Sequence, residues 1–251
     1  MSTAPSGTWT VETVGGHPCD VFEPAKRRES GEVLLYLHGV HLQRLVDKPK
    51  YVEQFQRHGL PVVAPVTQRS WWTDRICPEF DPQVTAEQHV LDRVLPWIEE
   101  RFGARPPTIG LFGTSMGGQG ALRIAYKHPR TFPVVAAVSP ALDFQNWWKK
   151  GDPVLRSMYR DAEAARQDTA ILFVHPLDYP RYQFFCCCPQ DEEWFEGAGR
   201  LRMKLASLGV PFQADLETPG AGHGFAYYEM MAEKTIRFLV ESLEENARRL
   251  V

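Results

Sequence analysis

The sequence contains only five cysteines, and three of them are adjacent: Cys186, Cys187 and Cys188. Neighbouring residues on a strand point to opposite faces, so adjacent cysteines make poor disulfide partners. The sequence also lacks the C-x-x-C spacing of a zinc site. We therefore interpret the cysteines as reduced, small apolar residues of a buried strand, with a redox role as the alternative. We expect neither a metal nor a cofactor.

An excess of one charge and long hydrophobic runs are missing as well. The formal net charge of −3 gives no electrostatic basis for binding nucleic acid or an anionic membrane surface. No apolar stretch approaches the ~18 residues that suggest a membrane-spanning helix. Residues 1–7 lack the basic segment and the apolar core of a signal peptide. We expect a cytoplasmic protein without a nucleic-acid or membrane partner.

The length and the order of the apolar segments indicate the fold class. At 251 residues, with 43% hydrophobic and 24% charged residues, the chain has the composition of a soluble globular protein with a sizeable core. Strand-length apolar runs alternate with amphipathic helical patterns. This alternation predicts an α/β fold with a mostly parallel sheet covered on both faces. Since the sequence shows no repeat or linker, we expect one domain over residues 1–251.

Local patterns predict several elements of that domain. Residues 8–14 and 17–23 alternate as strands do, and the Gly-Gly pair between them predicts a tight hairpin. A capping-box pattern at residues 85–88 opens a helix, in which Pro96 should cause a kink or leave one carbonyl unpaired. Residues 141–169 are polar and interrupted, which indicates a small cap or excursion after the sixth strand.

The chain is organised around residues 108–118. An apolar run is followed by Gly-Thr-Ser-Met-Gly and then by an amphipathic run that ends at Lys127, which predicts a strand, a sharp turn and a helix with Ser115 at the turn. Such a turn holds a nucleophile in strained backbone, and the glycines let neighbouring chain pass close by. The helix directs its first N–H groups towards negative charge beside Ser115. A G-x-S-x-G string arises by chance in roughly one such chain in ten, so the string alone is weak evidence. The assignment of Ser115 as a nucleophile therefore depends on finding a base.

His223 is the candidate base. It lies just after the last predicted strand, with glycines on both sides that suit a loop aiming one side chain. Loops at the carboxyl ends of parallel strands share one rim, where ligands bind, and Ser115 and His223 both belong to it. His38 ends a central strand, where a structural and a catalytic role are both open. The histidines in or beside helical stretches are expected at the surface: His58, His89 and His128.

Two carboxylates compete for the role of orienting that base. Asp178 follows the apolar run 170–174, but the link from there to the run 182–187 is too short for a parallel crossover. Asp191 follows the second run and precedes a helix and another strand, which completes a strand-helix-strand unit with Asp191 at the rim. We favour Asp191 over Asp178, and the neighbouring carboxylates Glu192 and Glu193 stay open as alternatives.

The chain order Ser115, Asp191, His223, the G-T-S-M-G-G turn and an H-G pair after a central strand resemble the α/β-hydrolase fold. Within that superfamily, G-x-S-M-G-G-x-G-A-L at residues 113–122 is similar to the esterase D and S-formylglutathione hydrolase group. The segment L-P-W-I-E also resembles that group.

The resemblance covers most of residues 30–240 loosely and residues 85–140 more closely. Two features depart from the pattern of the group. Thr114 stands where the group commonly has a histidine, and D-E-E-W at residues 191–194 is not its usual acid motif.

The resemblance implies acyl transfer through a covalent intermediate. Ser115 would attack an ester carbonyl, His223 would accept and return the proton, and Asp191 would fix the imidazole tautomer. The backbone N–H groups of Met116 and Val40 would hold the oxyanion. The leading hypothesis is a serine carboxylesterase that acts on small soluble esters or thioesters.

Several residues are candidates for contacting the substrate. His41 is an alternative oxyanion donor and a pocket residue. Arg75 and Lys149 are alternatives for binding an acidic substrate, although lone charges are more often solvated surface. Four tryptophans follow strands that end at the same rim, and they would serve equally well as pocket walls or as packing of the cap: Trp71, Trp72, Trp147 and Trp148.

Two other classes of function compete with the esterase. An acyltransferase or a peptidase could use the same scaffold, because the three residues do not decide which nucleophile resolves the acyl-enzyme. A non-catalytic binding module would require one of the three residues to be missing, and all three are present. A homo-oligomer is compatible with the sequence.

Overall fold

A computed structural model describes residues 7–250, apart from the side chain of Leu250. Residues 1–6, in which we expected no signal peptide, and residue 251 lie outside the described residues. Eight strands form one sheet: β1 (Thr8–Val14), β2 (His17–Glu23), β3 (Val33–Leu37), β4 (Val62–Pro65), β5 (Ile109–Thr114), β6 (Val134–Val138), β7 (Tyr182–Cys186) and β8 (Gln213–Asp215).

The sheet is mostly parallel, as the alternation of strands and helices predicted. Its spatial order is β1-β2-β4-β3-β5-β6-β7-β8, and among the described strands the antiparallel pairs are β1 with β2 and β2 with β4. The predicted Gly-Gly hairpin is confirmed, since Val14 pairs with His17 across it. The central strands β3, β5 and β6 are buried along their whole length. Continuous apolar runs are typical of strands that are covered on both faces.

Helices connect these strands and cover both faces of the sheet: α1 (Pro49–His58), α2 (Ala86–His89), α3 (Leu95–Phe102), α4 (Met116–Lys127), α5 (Gln145–Lys150), α6 (Pro153–Met158), α7 (Ala162–Arg166), α8 (Phe195–Ser207), α9 (Phe225–Met230) and α10 (Ala232–Leu250). Alternate residues of β3 show the two layers. Leu35 belongs to the core under α3 and α4, whereas Tyr36 belongs to the core under α1 and α10. No helix in the described part of the chain is long and apolar enough to cross a bilayer.

A π-helical turn accommodates the proline inside the predicted helix. The capping box at Thr85 is confirmed, and α2 continues through the π turn Val90–Val94 into α3. The N–H of Leu95 bonds to the carbonyl of Val90, five residues back. A register shift of this kind is one way for a helix to accept a residue that lacks an N–H, so Pro96 becomes a first-turn residue of α3.

The apolar run 170–174, which has the length and composition of a strand, does not form one. Residues Ala170–Phe173 form a 3-10 turn, and β6 pairs directly with β7. The N–H of Ala170 donates to the side-chain oxygen of Gln119 on α4 at 2.7 Å, so this backbone is tied to a helix and not to the sheet. Short apolar runs have no periodicity that distinguishes these outcomes.

The predicted excursion after the sixth strand is present as the three short helices α5, α6 and α7. Asp152 accepts the N–H of Leu155 at the start of α6, and Asp161 accepts that of Ala164 at the start of α7. Aspartate is a preferred N-cap because its carboxylate satisfies a free N–H of the first turn. Polar residues in this stretch therefore start helices and do not mark an irregular loop.

Candidate active site

Ser115 occupies a strained turn between β5 and α4. Its φ of 56° and ψ of −119° lie outside the regions that non-glycine residues prefer. The turn is held on two sides: the Ser115 N–H donates to the carbonyl of Val138, and the Ser115 carbonyl accepts the N–H groups of Gln119 and Ala141, all at 3.0 Å. These bonds fix the serine at the carboxyl edge of the sheet.

Two glycines around the turn are required by close contacts. A Cβ on Gly113 would lie 2.2 Å from the carbonyl oxygen of Gly117, and a Cβ on Gly117 would lie 1.9 Å from the carbonyl oxygen of Leu37. Both separations are far inside van der Waals contact. The structure thus shows the close passage of backbone that the glycine spacing predicted.

The structure brings together the three side chains that we selected from the sequence. His223 Nε2 lies 2.8 Å from Ser115 Oγ, and His223 Nδ1 lies 2.7 Å from Asp191 Oδ2. A carboxylate only accepts hydrogen bonds, so Nδ1 carries the proton and Nε2 is left to accept the serine hydroxyl. Ser115 and Asp191 are 6% and 2% exposed, whereas the His223 side chain is 26% exposed.

The Asp191 carboxylate is held in place by hydrogen bonds from neighbouring residues of the segment that follows β7. Its Oδ1 accepts the N–H of Trp194 at 3.1 Å, and its Oδ2 also receives the thiol of Cys187, with the sulfur 3.6 Å away. Asp178 is exposed and lies in an isolated bridge with His175 instead. Glu192 is exposed, and Glu193 bonds to Lys150 and to the indole of Trp147.

The five cysteines are free and buried, as we interpreted them. Three of them follow one another at the end of β7 and just beyond it. Burial raises the pKa of the Cys186 thiol to about 12 and raises the pKa of the Cys187 thiol further still, so both thiols stay protonated at neutral pH.

The two candidate oxyanion donors lie beside Ser115. Met116 is the first residue of α4, where a backbone N–H has no acceptor within the helix. Val40 and His41 follow β3, and both line the cleft that opens at Ser115. The loop is turned by a bond from the Leu42 N–H to the Gly39 carbonyl at 3.0 Å.

His38, whose role the sequence left open, supports that loop from within the core. Its Nδ1–H donates to the carbonyl of Gly39 at 2.9 Å, and its Nε2 accepts the N–H of Thr67 at 3.1 Å. Burial lowers the pKa of His38 to about 4, so the ring is neutral at pH 7. With both ring nitrogens engaged, His38 is a structural residue. His89, which we expected at the surface, is also buried.

A cleft of about 300 Å³ opens above Ser115. Val40 and His41 contribute to it as expected, and sequence reasoning missed four of its side chains. Phe225 and Tyr228 follow His223 closely in the chain, and this proximity could have predicted that they line the cleft. No sequence pattern predicts the same for Gln43 and Lys48. The lining residues are Gly39, Val40, His41, Gln43, Lys48, Thr114, Ser115, His223, Gly224, Phe225 and Tyr228.

Trp71 and Trp72 lie in the core and do not line this cleft. They are 1% and 0% exposed. The indole of Trp72 donates to the carbonyl of His38 at 3.0 Å, and a Cβ on Gly120 would lie 2.3 Å from the Cβ of Trp72. Both tryptophans are therefore core residues, and Trp72 packs against α4.

Trp147 and Trp148 are half-buried in the excursion and are also absent from the residues that line the cleft. Trp147 packs 5.7 Å from Trp194, whose ring centroid lies 6.2 Å from that of His223. The indole of Trp148 donates to the carbonyl of Tyr159. Of the two cations considered for an acidic substrate, Arg75 lies 3.8 Å from Asp168, and Lys149 is exposed elsewhere.

Comparison with solved structures shows the fold. An S-formylglutathione hydrolase from Agrobacterium tumefaciens superposes with a TM-score of 0.77 at 19% identity, over 96% of this chain and 98% of that one. FphF, a fluorophosphonate-binding serine hydrolase of Staphylococcus aureus, gives a TM-score of 0.74 at 16% identity, over 94% and 99% of the two chains. The predicted α/β-hydrolase fold is confirmed.

Sequence comparison identifies relatives over part of the chain. The S-formylglutathione hydrolase of Bos taurus is 28% identical over 154 residues, which is 52% of this chain and 54% of that protein. The Mus musculus protein of the same name is 28% identical over 146 residues, 49% of this chain and 52% of that protein. The chain thus spans about half the length of the curated relatives it matches.

The Esterase family model, described as "Putative esterase", matches residues 18–184. The matched segment includes most of β2, all of β3 to β6 and the turn at Ser115, and it ends before Asp191 and His223. Because the match covers more than half of the chain, the protein belongs to the Esterase family of α/β-hydrolase proteins.

Proposed function

We propose that the protein is a serine hydrolase that cleaves small carboxylic esters or thioesters through an acyl-enzyme on Ser115. The observation that carries the proposal is the position of His223, within 2.8 Å of the serine hydroxyl and within 2.7 Å of a buried carboxylate. Family membership and the fold support it, and thioesters are included because relatives are named S-formylglutathione hydrolases.

In the first step, Ser115 Oγ attacks the substrate carbonyl carbon while its proton passes to His223 Nε2. The imidazolium that forms is stabilised by Asp191, which also keeps the remaining proton on Nδ1. The tetrahedral intermediate collapses when the bond to the alcohol or thiol breaks. His223 returns the proton to that leaving atom, and the acyl group stays on the serine.

The negative charge that develops on the carbonyl oxygen needs donors in place before the reaction. The N–H of Met116 lies at the positive end of α4, and the N–H of Val40, or that of His41, lies on the facing loop. Each donor of this kind contributes ~3 kcal/mol to stabilising the transition state. The His38 ring supports the second donor by fixing the turn at Gly39.

In the second step, water replaces the leaving group. His223 takes a proton from the water as the water oxygen attacks the acyl carbon, and the bond from that carbon to Ser115 Oγ then breaks. His223 returns the proton to Oγ, so the free acid is released and the Ser115 hydroxyl is regenerated. We propose this hydrolytic outcome for a single domain in the cytoplasm, where the five free cysteines would stay reduced. Release of free acid without an added alcohol distinguishes a hydrolase from an acyltransferase.

The test is turnover of p-nitrophenyl acetate by purified protein. We expect Ser115→Ala to lower kcat/KM at least ~10³-fold, because the nucleophile is lost while the fold is retained. Ser207→Ala is the matched control, since Ser207 is exposed at the end of α8 and should leave the rate unchanged. Near-normal activity of Ser115→Ala would reject the proposal.

A further inference from the structure

The cleft above Ser115 has a positive charge and no carboxylate among the described residues that line it. Among the eleven described residues that line it, Lys48 is the one with a permanent charge. Asp191 is 2% exposed and lies behind His223, outside this lining. The chain as a whole has a formal net charge of −3, so the cleft departs from the average surface. A cationic cleft attracts anionic substrates.

The contacts of Lys48 leave its ammonium available to a ligand. The ammonium lies 4.6 Å from the centroid of the Phe225 ring, and the side chain is only 15% exposed. Its carboxylate partner, Asp47, is 3.1 Å away but 70% exposed, so solvent screens that pair strongly. The aromatic ring orients the cation at the cleft without neutralising it.

The position of Phe225 indicates which half of a substrate would meet this charge. Phe225 follows His223 by two residues and begins α9, so both belong to one wall of the cleft. His223 Nε2 must reach the leaving atom in order to protonate it. The leaving group therefore lies along this wall, which is the wall that Lys48 contacts through the Phe225 ring.

Resting on the ester hydrolysis proposed above, we propose that the substrate carries a carboxylate on its alcohol or thiol half and that Lys48 binds this carboxylate. Lys48 is then a specificity-determining residue. It takes no part in bond breaking, and its effect appears mainly in KM, because the charge pair is present in both the ground state and the transition state.

The test compares two acetyl esters that differ in the charge of the leaving group. They are para-acetoxybenzoate, which is anionic, and para-acetoxybenzamide, which is neutral and of similar shape. We expect Lys48→Met to lower kcat/KM for the anionic ester about tenfold, mainly through KM, and to change that for the neutral ester less than about twofold. Comparing each variant with wild type cancels the different intrinsic reactivities of the two esters.

Two further variants control for structural effects. Lys48→Arg keeps the charge and should retain most of the preference for the anionic ester. Lys50→Met removes a lysine whose side chain is 67% exposed and which lies outside the cleft, so the preference should not change. Raising the ionic strength should reduce the preference of the wild-type protein, because salt screens a partly exposed charge pair.

Equal losses for both esters in Lys48→Met, or no loss for either, would overturn the assignment. So would a loss confined to p-nitrophenyl hydrogen succinate, in which the carboxylate belongs to the acyl half. Failure of the proposed function would look different. In that case the wild-type protein would hydrolyse neither the anionic nor the neutral ester any faster than Ser115→Ala does.

Discussion

Two buried polar clusters join α4 to the rest of the molecule, and they differ in whether they open to a cleft. In the first, the Arg123 guanidinium bonds to Glu87 and Asp168, and the three side chains are 2%, 4% and 9% exposed. In the second, His223 connects Ser115 to Asp191 and is 26% exposed at the cleft. Both contain a buried carboxylate, but only the second opens towards a ligand.

Every charge of the Arg123 cluster is matched inside the protein. Lys127 and His128 also bond to Glu87, and the Tyr159 hydroxyl donates to Asp168. Burial alone would raise the pKa of Glu87, but these hydrogen bonds and the nearby cations together lower it to about 2.

The difference between the clusters separates a structural role from a reactive one. Removing a partner from a fully matched cluster leaves a buried charge unpaired and costs stability. The Ser115, His223 and Asp191 side chains form the open set. Removing a member of this set alters the reactivity of the serine hydroxyl and leaves few buried charges unmatched.

The largest effect is expected for the carboxylate of the open set. Asp191→Asn should lower kcat/KM for p-nitrophenyl acetate about 10³-fold or more, because an amide NH₂ facing Nδ1 favours the wrong imidazole tautomer. Asp178→Asn is the matched control and should be near wild type, since Asp178 is exposed in its bridge with His175. A greater loss from Asp178→Asn would contradict the assignment of the acid.

The next effect concerns the matched cluster and is measured as stability. Arg123→Met should lower the free energy of unfolding by about 3 kcal/mol or more, because Glu87 and Asp168 lose their buried cation. Urea titrations measure this change, and kcat per folded molecule should stay within about threefold of wild type. A stable Arg123→Met protein that has lost its activity would reverse the roles that we give to the two clusters.

The smallest effect is the pH dependence of that cluster. The pKa of Glu87 is about 2 in the folded protein, below its ordinary value of 4.5, so the folded state binds fewer protons than the unfolded state. The stability from Glu87 is complete above pH 4.5 and is lost as the pH falls towards 2. The stability advantage of wild type over Glu87→Gln should therefore shrink between pH 6 and pH 3 in urea titrations. A constant advantage would show that the pKa of Glu87 does not differ between the folded and unfolded states.

Much of the frame of the candidate site could be predicted from the sequence. Ser115 was found because an apolar run, a glycine-rich turn and a helical pattern occur in that order. His223 and Asp191 followed because strands that alternate with helices bring their carboxyl ends to one rim. These inferences depend on local pattern and chain order, which a sequence displays directly.

The rest depends on packing between distant segments. Trp71 and Trp72 occur in an irregular stretch, and only their burial in the folded chain, with Trp72 packed against Gly120, shows that they are core residues. The run 170–174 has the composition of a strand, but the side chain of Gln119 binds its backbone. Lys48 enters the cleft because α1 begins beside α9, and no local pattern indicates this neighbour.

The central claim is that His223 activates Ser115 as a nucleophile, and covalent labelling tests it most directly. Wild-type protein treated with a fluorophosphonate should gain one adduct, which peptide mass spectrometry places on Ser115. His223→Ala should react at least ~10³-fold more slowly, since its serine lacks a base. An adduct on another residue, or an equal rate in His223→Ala, would contradict the account.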